Sequence, residues 1–172
     1  MSVRAVLPCL FALLSLVFSS KAEARVTRYA LLVGNDRGAN NQVELAYAER
    51  DAERMYQVLR DVGGFDPANM VLLRGERASV VEKTLVTLNE RVRAELDTPG
   101  NEVLLFVYYS GHADANALAL DGSRLELNTL TQLVRGSAAT FRVLVLDACR
   151  SGTVTRRKGG RMAPAFALQT ET

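Results

Sequence analysis

Two uninterrupted apolar runs in the second half of the chain predict buried strands. They occupy residues 103–109 and 141–146, and both are rich in β-branched and aromatic side chains. Runs of this kind are typical of strands that are covered on both faces of a parallel sheet. Shorter runs at residues 28–34 and 70–73 predict two more strands, and a brief extended piece is expected at residues 117–120.

Segments with apolar residues at helical spacing separate these strands. Residues 46–62 predict an amphipathic helix with an apolar seam, which the Gly-Gly pair at 63–64 ends. The sequence Ser-Val-Val-Glu at 79–82 is a capping-box pattern that predicts the start of a second helix. A weaker pattern predicts a third helix at residues 127–135. The alternation of strands and helices predicts a three-layer α/β domain with a mainly parallel central sheet.

Length and charge restrict the class of protein. A chain of 172 residues corresponds to about one domain, large enough for a sizeable core. The formal net charge is only +2, and acidic and basic residues are interleaved along the chain. We therefore expect no nucleic-acid partner.

Residues 1–24 have the composition of a secretory signal peptide. A basic start at Arg4 is followed by an apolar stretch at residues 7–18 and by the small-residue pattern Ala-Glu-Ala at 22–24. We expect cleavage after residue 24, a mature chain that begins at Arg25, and a periplasmic or extracellular location. The apolar stretch is short for spanning a bilayer, so no stable membrane insertion is expected after cleavage.

The only histidine of the chain, His112, and the only cysteine outside this leader, Cys149, each follow one of the two long apolar runs. In open parallel sheets, sites form beyond the carboxyl ends of the strands. The sequence therefore places a general base and a soft nucleophile at one rim, as a cysteine hydrolase requires. Each residue taken alone has an ordinary alternative, because a lone cysteine is usually a small buried apolar residue and a lone histidine is usually a satisfied core or surface residue.

Three further polar residues indicate what such a site could bind. Asp147 interrupts the end of a strong strand, and Ser110 stands two residues before the histidine. Asp51 lies beside the apolar seam of the first helix, where a solvated residue is the simpler interpretation. Two carboxylates that converge near a thiol would form an anionic pocket, which selects a cationic side chain through charge-assisted hydrogen bonds.

Two motifs resemble the signatures of the caspase-like cysteine peptidases, specifically their bacterial and metacaspase branch. They are Tyr-Tyr-Ser-Gly-His-Ala-Asp at 108–114 and Asp-Ala-Cys-Arg-Ser-Gly at 147–152. The segments at 29–35 and 45–55 also resemble this family, so that the likeness covers roughly residues 27–152.

The resemblance implies a role for each candidate. His112 would be the general base and Cys149 the nucleophile, whereas Asp51, Ser110 and Asp147 would line the substrate pocket. No cofactor is implied. The acidic cluster that binds calcium in many metacaspases is not visible, so we expect no metal site.

The oxyanion hole of the family uses backbone N–H groups, which here would be those of Ala113 and Cys149. Residues 25–154 would form the large-subunit part of the catalytic domain, and residues 155–172 a basic loop and a truncated tail. Because the family's domain continues into a small subunit with two further strands, we expect these strands to be missing here. The chain would then be a truncated product, a fragment, or one half of a complex with a separate small subunit.

The predicted function is a cysteine-type endopeptidase that cleaves protein or peptide substrates after Arg or Lys. The main alternative is a catalytically inactive, truncated remnant that acts as an interaction module. A plain α/β interaction or receiver-like module is a third hypothesis, which would gain support only if His112 and Cys149 were far apart.

Overall fold

The computed structural model of the chain describes residues 25–39 and 42–148. Its elements in chain order are β1 (Val26–Asn35), α1 (Ala48–Asp61), a single 3-10 turn (Pro67–Asn69), β2 (Met70–Arg74), α2 (Ala78–Leu96), β3 (Glu102–Ala113), β4 (Ala117–Leu120), β5 (Ser123–Glu126), α3 (Leu127–Arg135) and β6 (Phe141–Asp147). The predicted signal peptide at residues 1–24 lies outside the described residues. No helix among the described residues is long and apolar enough to cross a membrane.

Four parallel strands form the main sheet, in the order β2, β1, β3 and β6. The antiparallel hairpin of β4 and β5 continues from the far end of β3. In the register, Ser110 of β3 is the Cα partner of Gly34 in β1 and of Asp147 in β6. The carboxyl ends of these three strands therefore meet at one edge of the sheet.

Helices cover both faces of the sheet and give it three layers. On one face, Ala52, Met55 and Leu59 of α1 pack against strand residues that include Ala30 and Leu32. On the other face, α2 and α3 pack on the opposite side chains of the same strands, in the larger of the two apolar clusters. The predicted three-layer α/β fold with a mainly parallel sheet is confirmed, and alternate residues of β1 and β3 serve the two clusters.

The predicted capping box of the second helix is wrong. Helix α2 begins at Ala78, with Arg77 as its N-cap residue and no side-chain cap from that residue. Ser79 lies within the first turn. The backbone N–H of Ala78 instead donates to the hydroxyl of Ser123, at 2.8 Å. The cap thus comes from a residue far along the chain, which no local pattern could have indicated.

Three other predictions from the pattern need correction. The run at 141–146 forms β6, but it is half-buried rather than buried, because β6 is an edge strand of the sheet that the structure describes. Val62, the last residue of the predicted first helix, follows the last turn of α1 and is exposed. Strand β5 was not predicted, because its four residues alternate too briefly to stand out.

Candidate functional site

His112 lies within a strand rather than beyond the end of the strand predicted at residues 103–109. Strand β3 continues through the polar segment Ser110-Gly111-His112 to Ala113, and His112 is the Cα partner of Ala119 in β4. Only 7% of its surface is exposed. The histidine is therefore held by sheet hydrogen bonding, which fixes its backbone more firmly than a loop would.

The imidazole of His112 is oriented by a backbone carbonyl. Its Nε2 lies 2.8 Å from the carbonyl oxygen of Val43. Because a carbonyl can only accept, this hydrogen bond requires the proton on Nε2. In that tautomer Nδ1 is the basic nitrogen of the ring.

Tyr109 supports the backbone of His112 from the opposite face of the sheet. Its hydroxyl lies 2.7 Å from the carbonyl oxygen of His112 and 3.0 Å from that of Ala119, and its single proton is shared between these two acceptors. Burial raises the pKa of Tyr109. The phenol therefore stays protonated and remains a donor at the point where β3 meets β4.

The turn between β4 and β5 is docked beside the histidine. Asp121 and Gly122 both have positive φ, as a two-residue type I′ hairpin requires. The N–H of Asp121 donates to the carbonyl of Arg37 at 2.9 Å, and that of Gly122 donates to the carbonyl of Gly38 at 3.0 Å. A Cβ on Gly38 would lie 2.7 Å from Cδ2 of His112, so this glycine allows the loop to pack directly on the imidazole.

Helix α1 is fixed against the end of β1 by two features. The Asp36 carboxylate accepts hydrogen bonds from the backbone N–H groups of Ala48, at 2.7 Å, and Glu49, at 3.3 Å. It therefore caps the helix in place of the N-cap residue itself. A Cβ on Gly34 would lie 2.6 Å from the Ala48 carbonyl oxygen, so only glycine allows this approach. The first turns of α1 consequently reach the site.

A cleft of about 280 Å³ opens between α1 and the ends of β3 and β6. It is lined by Leu45, Ala46, Tyr47, Ala48, Asp51, Ser110, Gly111, His112 and Asp147. The structure thus brings together four of the residues singled out in the sequence, one from a helix and three from strand ends.

The two carboxylates of the cleft are accessible to a ligand. Asp147 is exposed at the end of β6. Asp51 has 36% of its side chain exposed and forms an ion pair with Arg54 at 3.5 Å, which is a surface contact. Such surface pairs contribute little to stability, so the Asp51 carboxylate is not committed to a strong partner.

Tyr108 joins these groups and was not recognised as a site residue. Its hydroxyl donates to Oδ2 of Asp147 at 3.2 Å and also hydrogen-bonds the Ser110 side chain. Burial, followed by the charge of Asp147, raises the pKa of Tyr108 to about 12. No sequence pattern separates this tyrosine from the other apolar and aromatic residues of its run.

The structure does not bring every predicted residue into the cleft. Ala113 is buried at the end of β3, where it is the Cα partner of Leu118, and it does not line the cleft. Cys149 and the basic loop that begins at residue 155 lie outside the described residues. Among residues 25–39 and 42–148, no group of three or more His, Cys, Asp or Glu side chains could hold a metal ion.

Two other contributors could not have been found by residue type. The Val43 carbonyl is a main-chain group in an irregular loop, and Gly38 acts through the absence of a side chain. Neither group can be recognised from the residue type in a single sequence. The fold is what converts them into parts of the site.

Comparison with known proteins adds one match. A family model described as a caspase domain matches residues 27–169, which is more than four-fifths of the chain and includes both of the motifs at 108–114 and 147–152. A comparison with curated proteins finds no match.

Proposed function

The chain belongs to the caspase-domain family, which supports cysteine peptidase activity in general. From this premise we propose that it is an endopeptidase that cleaves after Arg or Lys. The observation that carries the proposal is the shared cleft of His112, Asp51, Ser110 and Asp147. One general base and two carboxylates then face the same space.

The lining of the cleft supports a basic side chain as its occupant. Its walls include the apolar groups of Leu45, Ala46, Tyr47 and Ala48, and its carboxylates come from α1 and β6. Lys and Arg side chains combine an apolar stem with a charged head, and they favour surroundings of this mixed kind. The stem would lie on the apolar wall while the cation hydrogen-bonds the carboxylates.

The chemistry would follow that of a cysteine hydrolase. His112 takes the proton of the Cys149 thiol, and the thiolate attacks the carbonyl carbon of the scissile peptide bond. The amine leaves with the proton carried by His112, and water then hydrolyses the thioester. The proposed oxyanion donors are the backbone N–H groups of Cys149 and of Ala113, which directly follows His112 in β3 although it does not line the cleft itself. Such donors are each typically worth about 3 kcal/mol.

The direct test uses paired peptides in which either Arg or citrulline precedes the cut. Citrulline has nearly the same shape but no charge, so the ratio of kcat/KM values isolates recognition of the cation. We expect wild-type protein to prefer Arg, and Cys149→Ala and His112→Ala to abolish cleavage of both peptides. Labelling of Cys149 by a peptidyl-arginine chloromethyl ketone, located by mass spectrometry, would identify the nucleophile. Wild-type protein that neither cleaves nor is labelled would instead support the inactive remnant.

A matched pair of substitutions tests the acidic pocket. Asp147→Asn keeps the shape of the side chain and removes its charge, whereas Asp97→Asn makes the same change on an exposed residue that does not line the cleft. We expect the first to lower the Arg-to-citrulline ratio by about tenfold to a hundredfold, equivalent to about 1.4–2.8 kcal/mol. The second should leave it unchanged. If both variants changed the Arg-to-citrulline ratio equally, Asp147 would not be a residue that recognises the cation.

Export is a separate part of the proposal. It rests on the basic, apolar and small-residue segments of residues 1–24. Mass spectrometry of the protein from the culture medium or periplasm should show a chain that begins at Arg25. An intact N-terminus in the membrane fraction would contradict this expectation.

A further inference from the structure

We propose that Tyr108 is a positioning residue that determines the selectivity of the cleft for a cationic side chain, by holding the Asp147 carboxylate in the direction of the ligand. This inference rests on the proposed function and extends it to a residue that does not itself line the cleft. It follows from the contacts of the Tyr108 hydroxyl with two polar side chains of the site, those of Asp147 and Ser110.

The ring of Tyr108 is fixed in place. The residue is 4% exposed and belongs to the apolar cluster between the sheet and α1, together with Ala30, Leu32 and Ala52. Tyr108 pairs with Val145 in the register of β3 and β6, one pleat before Ser110 pairs with Asp147. Its hydroxyl therefore emerges from the core directly beneath the two polar side chains.

The hydroxyl is a permanent donor to Asp147. The Tyr108 hydroxyl lies 3.2 Å from Oδ2 of Asp147, and its pKa of about 12 keeps the proton on the phenol at neutral pH. A carboxylate oxygen held in this way leaves Oδ1 for a ligand. Hydrogen bonds to charged groups are the stronger ones, so the contact restricts rotation of the Asp147 side chain.

The contact matters because Asp147 is otherwise exposed. A carboxylate at the end of an edge strand can turn into solvent, and a cation would then have to reorganise it on binding. The buried phenol holds the carboxylate in place before the ligand arrives, so that no free energy of binding is lost in ordering it, which is the general advantage of a preorganised site. Tyr108 also hydrogen-bonds Ser110, so that the polar groups on β3 and β6 form one connected set.

The test compares Tyr108→Phe with Tyr29→Phe. Tyr29 is equally buried on the same sheet, but it belongs to the cluster on the opposite face. We expect Tyr108→Phe to lower the Arg-to-citrulline ratio of kcat/KM about tenfold, because cleavage of the Arg peptide falls by that factor more than cleavage of the citrulline peptide. Tyr29→Phe should leave the ratio as in the wild type. A purely structural role for Tyr108 would lower both rates together and would overturn the proposal.

Two further measurements separate this proposal from the proposed function. In the Asp147→Asn background, Tyr108→Phe should have no additional effect on the ratio, because the tyrosine acts through the carboxylate; additive effects would overturn the inference. Calorimetric titration with benzamidine and its uncharged analogue benzamide requires no turnover. Benzamidine should bind the wild type more tightly than Tyr108→Phe by about tenfold, and benzamide should not distinguish them. Equal binding of benzamidine would refute the role of Tyr108 even in a catalytically inactive protein.

Discussion

The hydroxyl of Tyr109 lies 2.7 Å from the carbonyl oxygen of His112, three residues further along the same strand. The side chain of Tyr109 thus packs on the face covered by α2 and α3, and it supports the main chain of His112, whose imidazole lies in the cleft beside α1 on the other face. Tyr108, its neighbour in sequence, contacts Asp147 instead. Of the two adjacent tyrosines, Tyr109 therefore supports the backbone of His112, whereas Tyr108 holds a carboxylate of the cleft.

This division predicts the effect of Tyr109→Phe. Two carbonyl oxygens, those of His112 and Ala119, would lose their buried donor. We expect a loss of about 0.5–1.5 kcal/mol in the free energy of unfolding, since a buried hydrogen bond to these carbonyl groups is removed. Urea denaturation measures this loss. Cleavage of Arg and citrulline peptides should fall by the same factor, in contrast to Tyr108→Phe, and a change in selectivity would contradict the assignment.

Gly38→Ala should displace the imidazole without unfolding the domain. The added Cβ would meet Cδ2 of His112 at 2.7 Å and would also collide with the Gln42 side chain. Because the chain has one histidine, its imidazole C–H signals in a heteronuclear NMR spectrum are unambiguous. We expect these signals to shift and peptide cleavage to fall at least tenfold. Gly136→Ala, at the end of α3, is the control and should leave the signals in place.

The cap of α2 predicts opposite outcomes for two serines. Ser123→Ala removes the oxygen that accepts from the N–H of Ala78, and we expect it to cost about 1 kcal/mol of stability, as loss of a helix cap typically does. Ser79→Ala removes the residue that the sequence pattern identified as the cap, and it should change stability by less than about half of that. Thermal or urea denaturation of both variants decides between the pattern and the structure. A larger loss of stability for Ser79→Ala than for Ser123→Ala would show that Ser79 caps the helix after all.

The lowered pKa of Asp114 should make the free energy of unfolding depend on pH in the acid range. Its side-chain hydrogen bond with Arg124, followed by those from the backbone N–H groups of Asn116 and Ala117, lowers its pKa from about 3.8 to about 2. A group whose pKa is lower in the folded state contributes stability above its unfolded pKa and loses it as the pH falls through the folded value. The contribution of Asp114 should therefore be present above pH 4 and disappear between about pH 4 and pH 2. Urea denaturation at several pH values should show a shallower decline over this window for Asp114→Asn than for the wild type, while Asp97→Asn follows the wild type.

Most of the fold could be predicted because its signals are local. The apolar runs of β1, β2, β3 and β6 and the helical spacing of α1, α2 and α3 each lie within one short segment. The third helix is found at Leu127–Arg135, the predicted residues. Patterns of this kind depend only on which neighbours along the chain share a face.

Several of the errors arise where tertiary contacts replaced local ones. The predicted strand stops before Ser110-Gly111-His112 because this segment is polar, yet Tyr109 and strand β4 hold it in the sheet. The caps of α1 and α2 come from Asp36 and Ser123, which are distant in sequence from the helices' own N-cap positions. Of the candidate site, the side chains with distinctive chemistry were found, whereas a carbonyl, a glycine and a phenol in an aromatic run were not.

The register of the sheet sets the order in which the cleft can be completed. Its polar edge needs β1, β3 and β6 together, because Gly34, Ser110 and Asp147 are neighbours across three strands. Contacts between residues this far apart in sequence form late and slowly. Since Asp147 ends β6, a ribosome must synthesise nearly all of the described residues before the acidic wall exists. Between the synthesis of His112 and that of Asp147, the nascent polypeptide therefore has the histidine without the acidic wall of the cleft, and the proposed recognition of a basic side chain cannot begin until β6 has paired with β3.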